Sequence, residues 1–395
     1  MLGDFLMKNK LIKLAVAAVI FIVVLAGVQL ITRTNQIALA DVLAKVQEVR
    51  AFMYRMKVTT NGNIIPDMPA IRTEIDYIIT VSNEFGMKWE TETVIPNTGK
   101  SMTQKMYLLP EQKVEIVVMP EMKKYIQIEF SDDIFEKSKR QNNDPRVMIK
   151  QIMGCQYTEL GRSIIDGREV EGYHTTDPAM LAGMGENIEF TFWIDVESWL
   201  PVRCEMDFDM GEQMQANSVV YDYQWDIPVD ASDFEPVIPE DYTPISSESI
   251  KMPGVSEEAA IEGLKYFVGL SGRYPKKLDL MNLAMELAEL GKNETLTNTD
   301  SKTNEESYED GLARTIKEAM EIMRPVQAIS IFYLSLVQDK KEPVYYGESV
   351  KPGDSSTVLL AWKISDNEYR VIFGDLMTED VTAERLAELE EKLQN

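Results

Sequence analysis

Few residues in this 395-residue chain could do chemistry. There is one histidine, His174, so multi-histidine metal sites are excluded and a serine triad has a single possible base. His174 lies in a short hairpin beside Thr175 and Thr176, with no nucleophile motif nearby, and reads as a structural side chain. Cys155 and Cys204 fall on separate predicted strands. They could pair in an oxidising compartment or remain two buried thiols. Gly183-Met184-Gly185 has neither the preceding strand nor the following lysine of a phosphate-binding turn. Asp132-Asp133 and Glu257-Glu258 sit where helix starts favour negative charge. Glu74, Asp76, Glu90 and Glu92 fall on a wet strand face. No catalytic residue, metal site or cofactor is expected, and a carboxylate hydrolase is the least favoured reading.

The methionines are the most informative residue type. Of 23, fifteen lie between Met53 and Met214. Many take apolar-face positions on predicted strands: Met56, Met87, Met102, Met106, Met206 and Met210. Methionine is flexible and polarisable, and suits a surface that fits varied apolar ligands. Two readings stand: these residues fill the core of a curved sheet, or they line a ligand groove in it.

The elements that position them run from Ala51 to Phe130 as about six strands. Phe52, Tyr54, Met56 and Val58 alternate with Arg55, Lys57 and Thr59. Ile71, Ile75, Tyr77, Ile79 and Val81 alternate with Arg72, Glu74, Asp76 and Thr80. Met87 and Trp89 follow, then Met102, Met106 and Leu108, then Val114, Ile116 and Val118, then Ile126, Ile128 and Phe130. Such alternation makes a sheet apolar on one face and wet on the other. Asn61-Gly62, Asn97-Thr98-Gly99 and Pro110-Glu111 mark turns.

Two short helices interrupt the strands. One runs from Ser131 through Lys137 with Ile134 and Phe135. The other starts at Asp144-Pro145 and carries Met148, Ile149, Ile152 and Met153. Strands resume at Cys155, with a hairpin at Asp166-Gly167, a helical turn near Pro178 to Leu181, an alternating pair over Ile188 to Val196 and Val202 to Met210, and a last strand over Gln213 to Trp225. The total is about eleven strands.

Before them, Leu14 to Ile31 is uncharged and long enough to cross a bilayer, with Leu11 and Ile12 able to contribute. Lys8, Lys10 and Lys13 precede it and keep the N-terminus in the cytoplasm. The expectation is a single-pass anchor in the inner (cytoplasmic) membrane through residues 11–31, with the bulk of the chain periplasmic. Ala38-Leu39-Ala40 also resembles a signal-peptidase site, so cleavage stays open. Ile37 to Val49 reads as a short helix.

Proline and serine mark a boundary near residues 240–255. Beyond it come a helix capped by Ser256, a helix over Leu278 to Leu290, a polar stretch over Lys292 to Glu306, and a long helix from Tyr308 to about Asp339 kinked at Pro325. A three-strand meander (Val344 to Val350, Thr357 to Ile364, Tyr369 to Phe373) and a final helix over Ala383 to Leu393 follow. The division expected is an anchor over 1–33, a curved β-sheet domain over 34–245 and an α+β domain over 256–395. The net charge of -25, from 65 acidic against 40 basic residues, excludes nucleic acid as a partner.

Residues 37–243 resemble the LolA/LolB/RseB superfamily, in particular the membrane-anchored LolA-like proteins of planctomycete-type bacteria. The resemblance rests on the helix Asp41 to Arg50, the strand opening Phe52-Met53-Tyr54-Arg55-Met56, and the helices inserted mid-sheet. It also rests on Tyr157-Thr158-Glu159-Leu160-Gly161, Asp166 to Gly172, Trp193-Ile194-Asp195, Leu200-Pro201-Val202-Arg203, and Asp233-Phe234-Glu235-Pro236 followed by Ile238-Pro239. It implies a mainly antiparallel, unclosed half-barrel with lid helices over a cavity that takes acyl chains in carriers and senses envelope state in regulators. On that reading Phe52, Tyr54, Met56, Ile75, Tyr77, Met87, Trp89, Met102 and Met106 line the concave face. Phe135, Met148, Ile149 and Ile152 form the lid. The expected partners are the inner membrane, a lipid or acylated ligand, and a protein partner of the C-terminal domain. The alternative is a regulatory protein that binds no lipid and acts through protein contacts.

Overall fold

Strand β1 (Ala51–Gly62) is twelve residues long and pairs antiparallel on both edges, with β2 (Ile71–Ser82) and with β11 (Met214–Trp225). It thereby joins two meanders into one sheet. The computed structural model describes residues 37–62, 71–94, 101–132, 135, 144–181, 187–209, 214–246, 249–252, 254–295, 308–391 and 393. The apolar run Leu14 to Ile31, the turn at Asn97 to Gly99, Ile134, Gly183 to Gly185, Met210 and most of Lys292 to Glu306 lie outside these.

From β1 the first meander runs through β2, β3 (Gly86–Val94), β4 (Ser101–Leu109), β5 (Val114–Met119) and β6 (Lys124–Glu129). The second runs through β11, β10 (Pro201–Asp209), β9 (Asn187–Asp195), β8 (Arg168–Thr175) and β7 (Thr158–Ile165). β7 and β6 do not pair, so the sheet is unclosed. These are the eleven strands that the alternation predicts.

Two further strands lie in the stretch that reads as a boundary. β12 (Thr243–Pro244) and β13 (Ile250–Lys251) both pair parallel with β6. Proline is tolerated there because an edge strand leaves one row of backbone groups unpaired. Strands of two residues are too short to show a period.

One face assignment differs from the sequence reading. Directly paired residues share a face, and the register sets Glu115 against Leu108 and Val117 against Met106. Glu115, Val117 and Met119 therefore point inward, while Val114, Ile116 and Val118 point outward. β5 is apolar on both sides, so alternation alone cannot choose between them, and the pairing register decides.

Two helices cover the concave face. α1 (Leu39–Glu48) buries Leu39, Val42 and Val46. α2 (Pro145–Met153) has Pro145 at its first position and Asp144 as its cap, whose carboxylate accepts the Arg146 N–H at 2.8 Å. α2 packs against α1 and buries Met148, Ile149 and Ile152. Pro178–Leu181 forms the expected helical turn, of 3-10 type.

The C-terminal region holds a second, four-stranded antiparallel sheet: β14 (Val344–Tyr345), β15 (Asp354–Ser365), β16 (Glu368–Gly374) and β17 (Thr378–Thr382). β17 adds a strand to the expected meander, and β14 is shorter than expected. α3 (Glu257–Ser271), α4 (Leu280–Thr295) and α5 (Tyr308–Gln338) share one core with this sheet, through Leu264, Leu283, Val326, Ile329, Leu360 and Ile372. α6 (Ala383–Glu391) covers other buried positions of it through Leu386 and Leu389. Ser256 caps α3, and Gly272, at φ 72°, closes it.

The stretch Ile316–Gln338 of α5 is long and apolar enough to cross a membrane by length and composition. Its Val326, Ala328, Ile329 and Phe332 are instead buried in that second core, as the sequence reading expects. Pro325 divides α5. The half beyond it builds this core, while Ala313, Ile316 and Met320 before it lie on the half-barrel against Met102, Met106, Val117, Met119 and Ile126.

α3 crosses α5 at Gly263, where an added Cβ would collide with the Pro325 carbonyl oxygen and lie 2.8 Å from Ile329 Cγ1. Alanine is ordinarily the better helix former, by about 1 kcal/mol. Gly263→Ala is nevertheless expected to destabilise the protein by about 1–3 kcal/mol through overpacking. Urea midpoints of parent and variant check this.

Candidate functional site

The inner face is built from rungs that cross the strands. The first runs Phe52, Val81, Met87, Leu108, Glu115, Ile128. The second runs Tyr54, Ile79, Trp89, Met106, Val117, Ile126. The third takes Met56, Tyr77 and Thr91, and the fourth Val58, Ile75, Thr93 and Met102. All nine residues expected on the concave face from the sequence do point inward.

Most of this interior is filled by the chain itself. Phe52 and Tyr54 are fully buried, and Met56 and Met87 nearly so, in one core with Phe135, Met148, Ile149 and Ile152. Tyr77 and Trp89 pack against that core from its margin. Met102 and Met106 belong to the separate cluster under α5. Arg146 is held by both Asp144 oxygens and by Asn83 Oδ1 at 2.6 Å, which sets its guanidinium 5.4 Å from the Phe52 ring centre. This cation–π contact fixes α2 over the first rung.

Buried polar groups in the interior are mostly paired. Tyr223 Oη lies 3.3 Å from Cys204 Sγ, and burial pushes the thiol up to about 12. Both cysteines are free, with Cys155 donating to the Gln151 carbonyl at 3.2 Å. His174 sits on β8, half-buried, with Nδ1 3.1 Å from Thr191 Oγ1. On the outer face, Lys57 pairs with Glu74 at 2.9 Å and Lys88 with Glu90 at 2.9 Å, so those carboxylates form partly exposed ion pairs.

Glu115 differs from these. It is a carboxylic acid on the apolar face between Leu108 and Ile128, half-buried, and desolvation raises its pKa to about 7. The sequence reading missed it because Val114, Ile116 and Val118 suggest the opposite face.

Space remains at the far ends of β1, β9, β10 and β11. There a cavity of about 720 Å³ opens, where Ile188, Phe208 and Ala216 face inward and the polar residues face outward, in phase with Arg55 and Lys57. Thr59, Asn61, Thr176, Asn187, Glu189, Asp207, Gln215 and Asn217 supply polar lining. Its volume falls within the range of roughly 300–1,000 Å³ typical of small-molecule sites. None of the residues expected at the ligand site lines it. The signal that could have located it is the run of polar outward positions at the ends of these four strands. Among the described residues no group of three or more acidic, cysteine or histidine side chains is placed to hold a metal.

The class that these features define is an unclosed, curved antiparallel half-barrel with helices over its concave face and a second small sheet. Three solved structures similar to it are as follows. The lipoprotein LppX of Mycobacterium tuberculosis is 14% identical, over 49% of this chain and 98% of that one, with a TM-score of 0.29. A LolA superfamily protein of Nitrosomonas europaea is 13% identical, over 51% and 99%, with a TM-score of 0.21. MucB, in a complex with MucA(peri), is 10% identical, over 52% and 61%, with a TM-score of 0.26. No family model and no curated protein matches. At these scores the description of the fold rests on the strand order itself.

The acid on the inner face has a measurable consequence. Folded Glu115 keeps its proton up to about pH 7, whereas the unfolded chain releases it near 4.5. The folded state therefore binds more protons between these values, and stability falls as pH rises through them. Glu115→Gln is expected to match the parent at pH 4.5 and to exceed it at pH 8 by up to about 3 kcal/mol. Urea titrations at both pH values decide. A difference independent of pH would mean that Glu115 is not a buried acid.

Proposed function

We propose that this chain is a membrane-anchored, extracytoplasmic binding protein that holds a lipid or lipoprotein acyl chain in its half-barrel. The observation that carries the proposal is the unclosed sheet with an apolar, methionine-rich inner face covered by separate helices. The apolar side chains of the inner face would bury the acyl chain, at about 0.8 kcal/mol per CH2 removed from water. Asn61, Asn187, Gln215 and Asn217 would meet a polar head. The inward rungs of Met56, Tyr77 and Val58, and the methionines beyond them, form the wall that a longer chain would displace or follow. Anchoring through Leu14 to Ile31, with the N-terminus in the cytoplasm, completes the reading.

A second reading is favoured by one observation: around Phe52 and Tyr54 the half-barrel is packed solid with its own side chains. On that reading the protein binds no lipid and acts through a protein partner, as MucB is seen with MucA(peri).

Ala216→Trp separates the two. Ala216 is buried on the inner face opposite Phe208, and a tryptophan there would crowd that end of the interior. The parent is expected to take up a fluorescent fatty acid, and the variant to bind it at least about tenfold more weakly, a loss of about 1.4 kcal/mol. Equal binding by both would remove that end of the interior from consideration, and no binding by the parent would favour the protein-partner reading.

A further inference from the structure

We propose that the end of the sheet carrying Ile164 and Trp199 rests on the surface of the anchoring membrane, with the cavity mouth facing away from it. This builds on the anchor reading above.

The argument starts where the described chain begins. The Ile37 N–H donates to the Glu171 carboxylate at 3.4 Å, and the Ile37 carbonyl accepts the Tyr173 hydroxyl. All three residues are buried. The chain thus enters the half-barrel at a fixed point on β8. Ile37 lies six positions after Ile31, the last residue of the apolar run. Six residues span at most about 20 Å. The polar layer of one leaflet itself takes up about 5–8 Å. Glu171 must then lie close to the bilayer surface.

The exposed side chains near that point suit a bilayer. Glu171 pairs with Arg162 on one side and Ile194 on the other. Two residues further along, Ile164 is opposite Glu169, and the Glu169 carbonyl accepts the Val196 N–H at 3.0 Å. The turn that follows is fixed by Asp195, whose carboxylate accepts the N–H groups of Glu197 and Ser198. Trp199, at φ 60°, closes this turn. Ile164 is 74% exposed and Trp199 42%. Isolated exposed apolar residues are ordinary, but this pair stands at the end where the chain enters. Tryptophan, apolar with one polar N–H, favours the headgroup level. The acidic chain gains nothing from anionic lipid, so the contact is apolar and aromatic.

The opposite end carries the cavity. β9 starts at Asn187 in the cavity wall and ends at Asp195 beside the turn, a span of about 27 Å. The cavity lining there is polar at Asn61, Glu189, Asp207 and Gln215. Ligand would therefore enter and leave on the side facing the envelope space rather than directly from the anchoring bilayer.

The test uses the full chain in phosphatidylcholine vesicles that contain a headgroup-labelled quenching lipid. Cys155→Ser removes the partly exposed thiol, and buried Cys204 is left in place. A dye is attached at Ile164→Cys or, separately, at Gln215→Cys, both exposed positions. The expected result is that both proteins float with the vesicles, with loss of fluorescence at position 164 and none at 215. Equal loss at both, or loss at 215 alone, in chains that still float would overturn the orientation and leave the anchor standing. Failure to float would overturn the anchor and the orientation together.

Discussion

Everything in the half-barrel depends on the pairing of β1 with β11. These strands are about 160 residues apart in sequence, and their register runs from Phe52 opposite Trp225 to Gly62 opposite Met214, with one shift between Met53 and Arg55. Each meander alone is a run of hairpins with an uncovered apolar face. Joined through β1, they share Phe52, Tyr54 and Met56 as common packing partners. A slip of one residue would turn those side chains out to water and bring Arg55 and Lys57 into the core. So non-local a pairing also slows folding, because loop closure precedes any reward from contact.

How much of this was legible in the sequence depended on the length scale. Phe52, Tyr54, Met56 and Ile75, Tyr77, Ile79 alternate cleanly with charged residues, so the strands and their inward faces could be read locally. β5 could not, because Val114 to Met119 is apolar in both phases and only pairing with Leu108 assigns Glu115 to the interior. β12 and β13 were hidden by their length and by a proline-rich composition. The helix Tyr308–Gln338 was visible, but an amphipathic pattern says that a helix has a partner, not which one. That Ala313, Ile316 and Met320 meet Met102 and Met106 is a tertiary fact.

The cavity was the least legible part, for the same reason. Its apolar residues Ile188, Phe208 and Ala216 come from three strands, and Thr59 and Asn61 come from a fourth more than a hundred positions earlier. The richest greasy pattern, the methionine-bearing strands at the β1 to β4 end, marks the solid part of the interior. A strong apolar period reports burial, and burial by the chain's own side chains satisfies it as well as burial by a ligand does.

The parallel pairing of Thr243–Pro244 and Ile250–Lys251 with β6 has a consequence for how the protein can be divided. By composition this stretch is a place to cut. By hydrogen bonding it is the hem of the sheet: the Thr243 and Ile245 N–H groups donate to Lys123 and Tyr125, and the Met252 N–H donates to Glu129. A fragment ending near residue 240 would carry every strand of the half-barrel and still present β6 bare, as a template for another chain. The soluble unit extends past the last strand that alternation reveals, and the segment that connects the two sheets also keeps the first one from sticking to its neighbours.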